Sequence, residues 1–247
     1  MKTSDPAKFR GFHPEAFRFF RRLARNNHKP WFDKNRPIYE QHVTGSLKGL
    51  LEELAPRLLL LDPEFEVSGK TGKNFSRINR DIRFARDKSP YRGSLYLYFG
   101  RAGTDLGTRL YAGLSADGVS CGFAAYHGRG SEMEDIFKPR RAREPEEIDR
   151  MLHRLERRYE IYWHAKERGE WMKHRGRPRS DEEWEHCQAL IVRRLFPPTR
   201  AALRLPRFAR QVEKIFRELF PLYSLATQKG PASKPQGPLA ASKTRER

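Results

Sequence analysis

Long apolar runs are missing from this 247-residue chain. The best candidate, Leu58-Leu59-Leu60-Leu61, falls far short of the roughly 18 residues a membrane-spanning helix needs, so no membrane span is expected. The opening Met1-Lys2-Thr3-Ser4-Asp5-Pro6 has no apolar stretch of the signal-peptide kind. Cysteine is nearly absent: Cys121 and Cys187 stand alone, with neither metal spacing nor a disulfide framework, which fits a reducing compartment. Acidic side chains are also in short supply, 31 Asp and Glu against 50 Lys and Arg, for a formal net charge of +19. These absences lead to the expectation of a cytoplasmic protein with no metal and no cofactor.

Enough apolar material remains for a core. Hydrophobic residues make up 37% and aromatic residues 12% of the chain, too much for a disordered polypeptide. About +4 of the charge lies in residues 228–247, which leaves about +15 on the remainder. Such a field favours polyanions: nucleic acid, an anionic membrane surface or a phosphorylated small molecule. It is equally compatible with a basic surface that only aids solubility.

The order of elements follows from periodicity. Pro14 suits a first helical position, and Ala16, Phe20 and Leu23 with Phe17, Phe19 and Ala24 predict a helix from about Pro14 to Asn26. A second helical region begins near Trp31, with its main run from Pro37 through Tyr39, Val43, Leu47, Leu50, Leu51, Leu54 and Leu58. Leu95, Leu97 and Phe99 then alternate with Tyr96 and Tyr98 as a half-buried strand. Two further strands, 110–114 and 119–126, meet at the hairpin signal Ala116-Asp117-Gly118. A helix is expected over 145–165, a late strand over 189–192, and a final helix through Phe208, Val212, Ile215, Phe216 and Leu219, closed by Pro221. Helices, a meander and more helices define an α+β single domain, an antiparallel β-meander packed against N- and C-terminal helices. Its expected limits are 9–227, with a disordered N-terminus at 1–8 and a disordered basic tail at 228–247.

The densest charge lies between Lys70 and Arg92, where eight basic residues face two acids. Arg77, Arg80, Arg83 and Arg86 recur every third residue, interleaved with Ile78, Ile82, Phe84 and Tyr91. A floppy arm would lack those aliphatics. Read as a strand, Ile78, Ile82 and Phe84 share one face and Arg80 falls among them. A buried guanidinium must be paired. Its partner is either internal (Asp81, Asp87, Asp33 or Glu40) or an external phosphate or carboxylate, and eight bases outnumber what two acids can neutralise.

Other motifs fail on spacing. Ser68-Gly69-Lys70-Thr71-Gly72-Lys73-Asn74 imitates a phosphate loop, but Glu64 stands where its first glycine belongs, and no clear helix follows. His153, His164 and His174 are scattered, and no pair has the four-residue helical spacing of metal ligands. His28 and His127 are better placed, as a general base or as solvated or capping side chains. Cys121 reads as a small buried residue. Trp31 and Phe32 are either a ligand wall or helical core positions.

Three stretches carry a resemblance. They are Gly11-Phe12 with Phe19-Phe20-Arg21-Arg22-Leu23, then Asn26-Asn27 through Lys29-Pro30-Trp31-Phe32-Asp33 to Tyr39-Glu40, and Arg77-Ile78-Asn79-Arg80-Asp81-Ile82-Arg83-Phe84 through Arg86-Asp87-Lys88-Ser89-Pro90-Tyr91-Arg92. Together they resemble the domain of unknown function 2461 family of conserved hypothetical proteins over roughly residues 9–100. The likeness resumes from Leu190 through Pro206 and Phe208 to Pro221-Leu222. Asn79 replaces a more usual aromatic, and Ala85-Arg86 replaces a small hydroxyl residue and lysine. The resemblance implies a single α+β domain in a bacterial cytoplasm and implies no reaction.

Three functional readings stay open. In the first, Arg77, Arg80, Arg83, Lys88 and Arg92 with Tyr91 bind a phosphate-bearing ligand, a nucleotide or a nucleic-acid backbone. In the second, an enzyme uses Asp81 or Asp87 as acid/base on a phosphorylated or acidic substrate, and gathers Asp81, Tyr91 and Trp31 around a cleft. In the third, the segment is a structural Arg/Asp network.

Overall fold

A computed structural model describes residues 9–103 and 107–228. Of the tails expected to be disordered, 1–8 and 228–247, all but Gln228 lies outside the described residues, as does the middle of the turn expected at 100–107. The chain folds as one α+β domain around a six-stranded, wholly antiparallel sheet of order β1-β2-β3-β6-β4-β5. The strands are β1 (Ser94–Phe99), β2 (Thr108–Ser115), β3 (Gly118–Tyr126), β4 (Glu160–Glu167), β5 (Glu170–Arg175) and β6 (Ala189–Phe196). The expected meander is its first half.

Helix α1 (Pro14–Arg25) starts where His13 accepts the Glu15 N–H, with Pro14 in the first turn. It buries Ala16, Phe17, Phe19, Phe20 and Leu23. Helix α2 (Lys29–Ile38) is capped by His28, which accepts the Trp31 N–H. Pro37 lies inside α2 rather than opening the main run. A π-helical turn, Tyr39–Thr44, follows directly and leads into α3 (Gly45–Leu58). After β3 come α4 (Lys138–Arg143), α5 (Pro145–Glu156) and, before β6, α6 (Asp181–His186). The last helix is α7 (Phe208–Thr227).

Helices α1, α3 and α7 lie against one face of the sheet. There the alternation in β1 sends Leu95, Leu97 and Phe99 inward, with Phe99 edge-on to Phe216 of α7 at 5.7 Å. Each such side chain contributes about 1.5–3 kcal/mol by leaving water. Among the described residues no helix is long and apolar enough to cross a membrane.

Three expectations need correction. The helix expected over 145–165 stops at Glu156, and the chain turns into the β4–β5 hairpin. Ile161, Trp163 and Ala165 face the core there, while Tyr162 faces away; Tyr159 and Tyr162 happen also to continue the helical spacing of Leu152 and Leu155. Pro221 does not close α7: it faces solvent within the helix, which continues to Thr227. The arginine segment is not a strand; it is an irregular loop with isolated bridges. Phe84, expected on its apolar face, is 95% exposed at the loop tip.

Candidate functional site: a cleft of arginines and tyrosines

The residues from Asp62 to Arg92 run along the outer edge of β1. Ser76 donates its N–H to Tyr96, Tyr98 donates to Asn74, and Glu66 donates to Gly100, so the edge strand keeps its hydrogen bonds although no seventh strand pairs with it among the described residues. Asn74 is fully buried and locks this connection: its amide donates to the Glu66 and Tyr98 carbonyls and accepts the Gly69 N–H. The loop that imitates a phosphate loop is thereby closed on itself. Its Gly69 and Gly72 N–H groups are spent on Asn74 and on the Phe75 carbonyl.

Beyond Phe75 the segment doubles back as a short hairpin. Asn79 bridges Tyr91, flanked by Arg80 N–H to Pro90 O and Arg92 N–H to Ile78 O, each 2.8 Å. The Tyr91 N–H and C=O point outward from this pair and meet the Asn27 side chain, at 3.0 and 2.8 Å. The Tyr91 ring stacks on Phe32 at 4.1 Å. The corner between α1 and α2 thus holds the hairpin in place.

The tip neutralises itself in part. Arg80 bonds the Asp87 carboxylate and the Ser89 carbonyl. Arg83 forms a two-pronged pair with Asp81, at 3.0 and 2.7 Å. Lys88 donates to the Ile82 carbonyl. The Ser89 hydroxyl and N–H, then Arg80, hold Asp87 well below the usual carboxylate range. The Arg83 side chain and N–H lower the pKa of Asp81. For Arg77, Arg86 and Arg92 no carboxylate lies within 4.0 Å among the described residues.

The face of the sheet opposite the helices carries a second apolar cluster: Tyr111, Ala124, Tyr162, Ala189 and Ile191, with Tyr96 and Tyr98 packed against it. Arg109 lies between Tyr98 and Tyr126, its guanidinium 4.2 and 4.7 Å from the two ring centres. Arg193 lies 5.0 Å from the Tyr162 ring centre and bonds Glu160 at 2.8 Å. Burial raises the phenols of Tyr98, Tyr111 and Tyr126 and pushes that of Tyr162 up to about 12, so all four stay neutral and keep their O–H donors.

The base of the hairpin and this face enclose a cleft of about 930 Å³. Arg77, Arg80, Arg92, Arg109 and Arg193 line it, over a floor of Tyr96, Tyr98, Tyr111, Tyr126 and Tyr162, and Asp87 is its one carboxylate among the described residues. Of the residues singled out from the sequence, Arg77, Arg80, Asp87, Tyr91 and Arg92 border the cleft, whereas Asp81, Arg83 and Lys88 sit at the tip and do not. Trp31 is half-buried against the core, and Phe32 is fully within it. The five tyrosines, Arg109 and Arg193 were not singled out. The signal for them was tyrosine, rather than serine or lysine, on the outward positions of β1. Among the described residues no group of three or more His, Cys, Asp and Glu side chains could hold a metal ion.

Fold and site together define an α+β antiparallel-sheet protein with a basic, aromatic cleft on its helix-free face. The family profile described as "Conserved hypothetical protein (DUF2461)" matches residues 15–224, and the chain belongs to that family. No curated protein matches it.

Proposed function

We propose that the protein binds a phosphate-bearing anionic ligand in the cleft between the arginine hairpin and the tyrosine face. One observation carries this reading: among the described residues five arginines and one carboxylate line one cavity, and two of those arginines, Arg77 and Arg92, have no carboxylate within 4.0 Å. Arg77 and Arg92, at the two ends of the hairpin, supply the exposed forks that suit phosphate oxygens. Tyrosine hydroxyls add neutral donors, and the rings give a surface for an aromatic ligand. Arg80, Arg83 and Lys88 chiefly fold the tip, so an internal network and an anion site divide the segment between them.

The enzyme alternative draws less support. Proton transfer near neutral pH calls for a group whose pKa lies near the working pH. The pKa values of Asp81 and Asp87 are both lowered, away from neutral pH, and Asp81 and Trp31 lie outside the cleft.

Calorimetric titration with inorganic pyrophosphate and with adenosine monophosphate at low salt tests the proposal. The Arg77→Ala/Arg92→Ala protein should bind on the order of a hundredfold more weakly, since each charge-assisted contact accounts for about tenfold or more. Its melting temperature should stay within about a degree, because both side chains are exposed and without a carboxylate partner. Equal binding by the two proteins, or none by the wild type, refutes it.

A further inference from the structure

We infer that the cleft takes single-stranded nucleic acid rather than a free mononucleotide, an inference that rests on the anion-binding reading above. The first ground is extent. A second cavity of about 310 Å³ adjoins the 930 Å³ cleft and shares Gly93, Ser94, Tyr96 and Arg193 with it. It continues past Gly113 and Ser120 toward Ser115 and Asp117 at the β2–β3 turn. The combined groove exceeds the roughly 300–1,000 Å³ of small-molecule sites. From β1 to β4 the face spans four strand spacings, about 19 Å at roughly 4.8 Å each.

The second ground is the placement of charge. Arg77 and Arg92 lie at the β1 edge, with no carboxylate within 4.0 Å among the described residues, whereas Arg193, already bonded to Glu160, stands on β6, three strand spacings away. One phosphate group reaches one end. A backbone with repeated phosphates reaches both.

The third ground is the floor between them. Tyr126, Arg109 and Tyr98 form a ladder of ring, guanidinium and ring, and the Tyr96 ring runs parallel to Tyr98 within 11°, centres 5.9 Å apart. Among the described residues no cation lies on the face of Tyr96, and Tyr126 is 40% exposed, so both offer ring surface to a base. A β-sheet face with aromatic and guanidinium planes is a stacking platform that accepts any base, because every base has a π-face. Gly113 keeps the floor flat: a Cβ there would come within 2.4 Å of the Tyr96 ring. Sequence-tolerant, single-strand binding is the chemistry this surface fits.

Fluorescence anisotropy of the full chain with labelled oligo(dT), oligo(U) and a duplex, over a salt series, provides the test. The single strands should bind more tightly than the duplex, adenosine monophosphate or pyrophosphate, and the two labelled strands separate DNA from RNA as the source. The slope of log K against log salt should shrink by about 0.7 for each of Arg77 and Arg92 replaced by alanine. Tyr96→Ala and Tyr126→Ala should each weaken binding on the order of tenfold, and Tyr96→Phe should restore it. If Tyr96→Ala lowers the melting temperature, Tyr126→Ala and Tyr96→Phe decide. Oligonucleotides that bind no better than adenosine monophosphate overturn the inference and leave the anion site standing. Oligonucleotide binding indifferent to strandedness and to both tyrosine changes also overturns it, leaving only general attraction to a +19 chain. Failure of every phosphate ligand removes both readings.

Discussion

Replacing Asn27 should release the arginine hairpin from the helical corner that holds it. In an antiparallel pair of this register the Tyr91 N–H and C=O point away from Asn79, and among the described residues no further strand lies beyond them. The Asn27 amide takes that strand's place, donating to the Tyr91 carbonyl at 2.8 Å and accepting its N–H at 3.0 Å. Tyr91 is 8% exposed, so neither group is readily satisfied by water once Asn27 is truncated. Two hydrogen bonds at about 0.5–1.5 kcal/mol each put the cost of Asn27→Ala at about 1–3 kcal/mol. For a chain of this length each kcal/mol lowers the melting temperature by about 2–4 °C, so a fall of about 2–12 °C is expected.

Asn27→Asp sharpens the experiment. It keeps an acceptor for the Tyr91 N–H but sets a carboxylate oxygen against the Tyr91 carbonyl, so it should be no milder than alanine above about pH 4. Thermal melting and amide exchange at Tyr91 provide the two readouts. An Asn27→Ala protein that melts within a degree of the wild type and still protects the Tyr91 amide would show that the corner does not position the hairpin.

Two further outcomes follow from the same geometry. Gly113→Ala forces a methyl group against the Tyr96 ring, so it should destabilise the fold by about 1–3 kcal/mol in urea titration and disturb ligand binding together with Tyr96. Asp87, whose pKa is depressed in the folded state, contributes stability that is present above its unfolded value near pH 4 and is lost as the pH falls below it. The acid limb of the stability profile should therefore be shallower for Asp87→Asn, and an unchanged limb would mean that the Ser89 and Arg80 contacts do not form in solution.

The parts of the fold legible in the sequence are those where one short-range pattern suffices. Alternation through Leu95, Leu97 and Phe99, the Asp117-Gly118 turn, and the apolar stripe of α1 each depend on neighbours within a few residues. The β4–β5 hairpin was not legible, because Leu152, Leu155, Tyr159 and Tyr162 also satisfy helical spacing. Its marker was the pair Arg168-Gly169, both with positive φ, at 48° and 85°, which turns β4 into β5. The tyrosine face was invisible for a different reason. Alternation says that Tyr96 and Tyr98 point away from the core, but not what they meet. Their neighbour Tyr111 and the more distant Tyr162 arrive only through β1–β2 register and the insertion of β6 between β3 and β4.

The arginine segment shows how far a local count reaches. Eight bases against two acids correctly implies that charge is left over, but not where it is left. Folding decides that. Each acid caps the residue two ahead, Asp81 the Arg83 N–H and Asp87 the Ser89 N–H, and each also binds a guanidinium of the tip. The tip thereby consumes both acids and the charges of Arg80 and Arg83. Arg77 and Arg92 are left at the base, where the two arms of the hairpin pair beside the sheet. A run that in sequence looks strongest around Arg80 and Arg83 therefore presents unspent charge at its two ends, as well as at Arg86 and Lys88 on the tip. Those ends are where the Asn27 anchor and the tyrosine floor give the charge a fixed surface to act over.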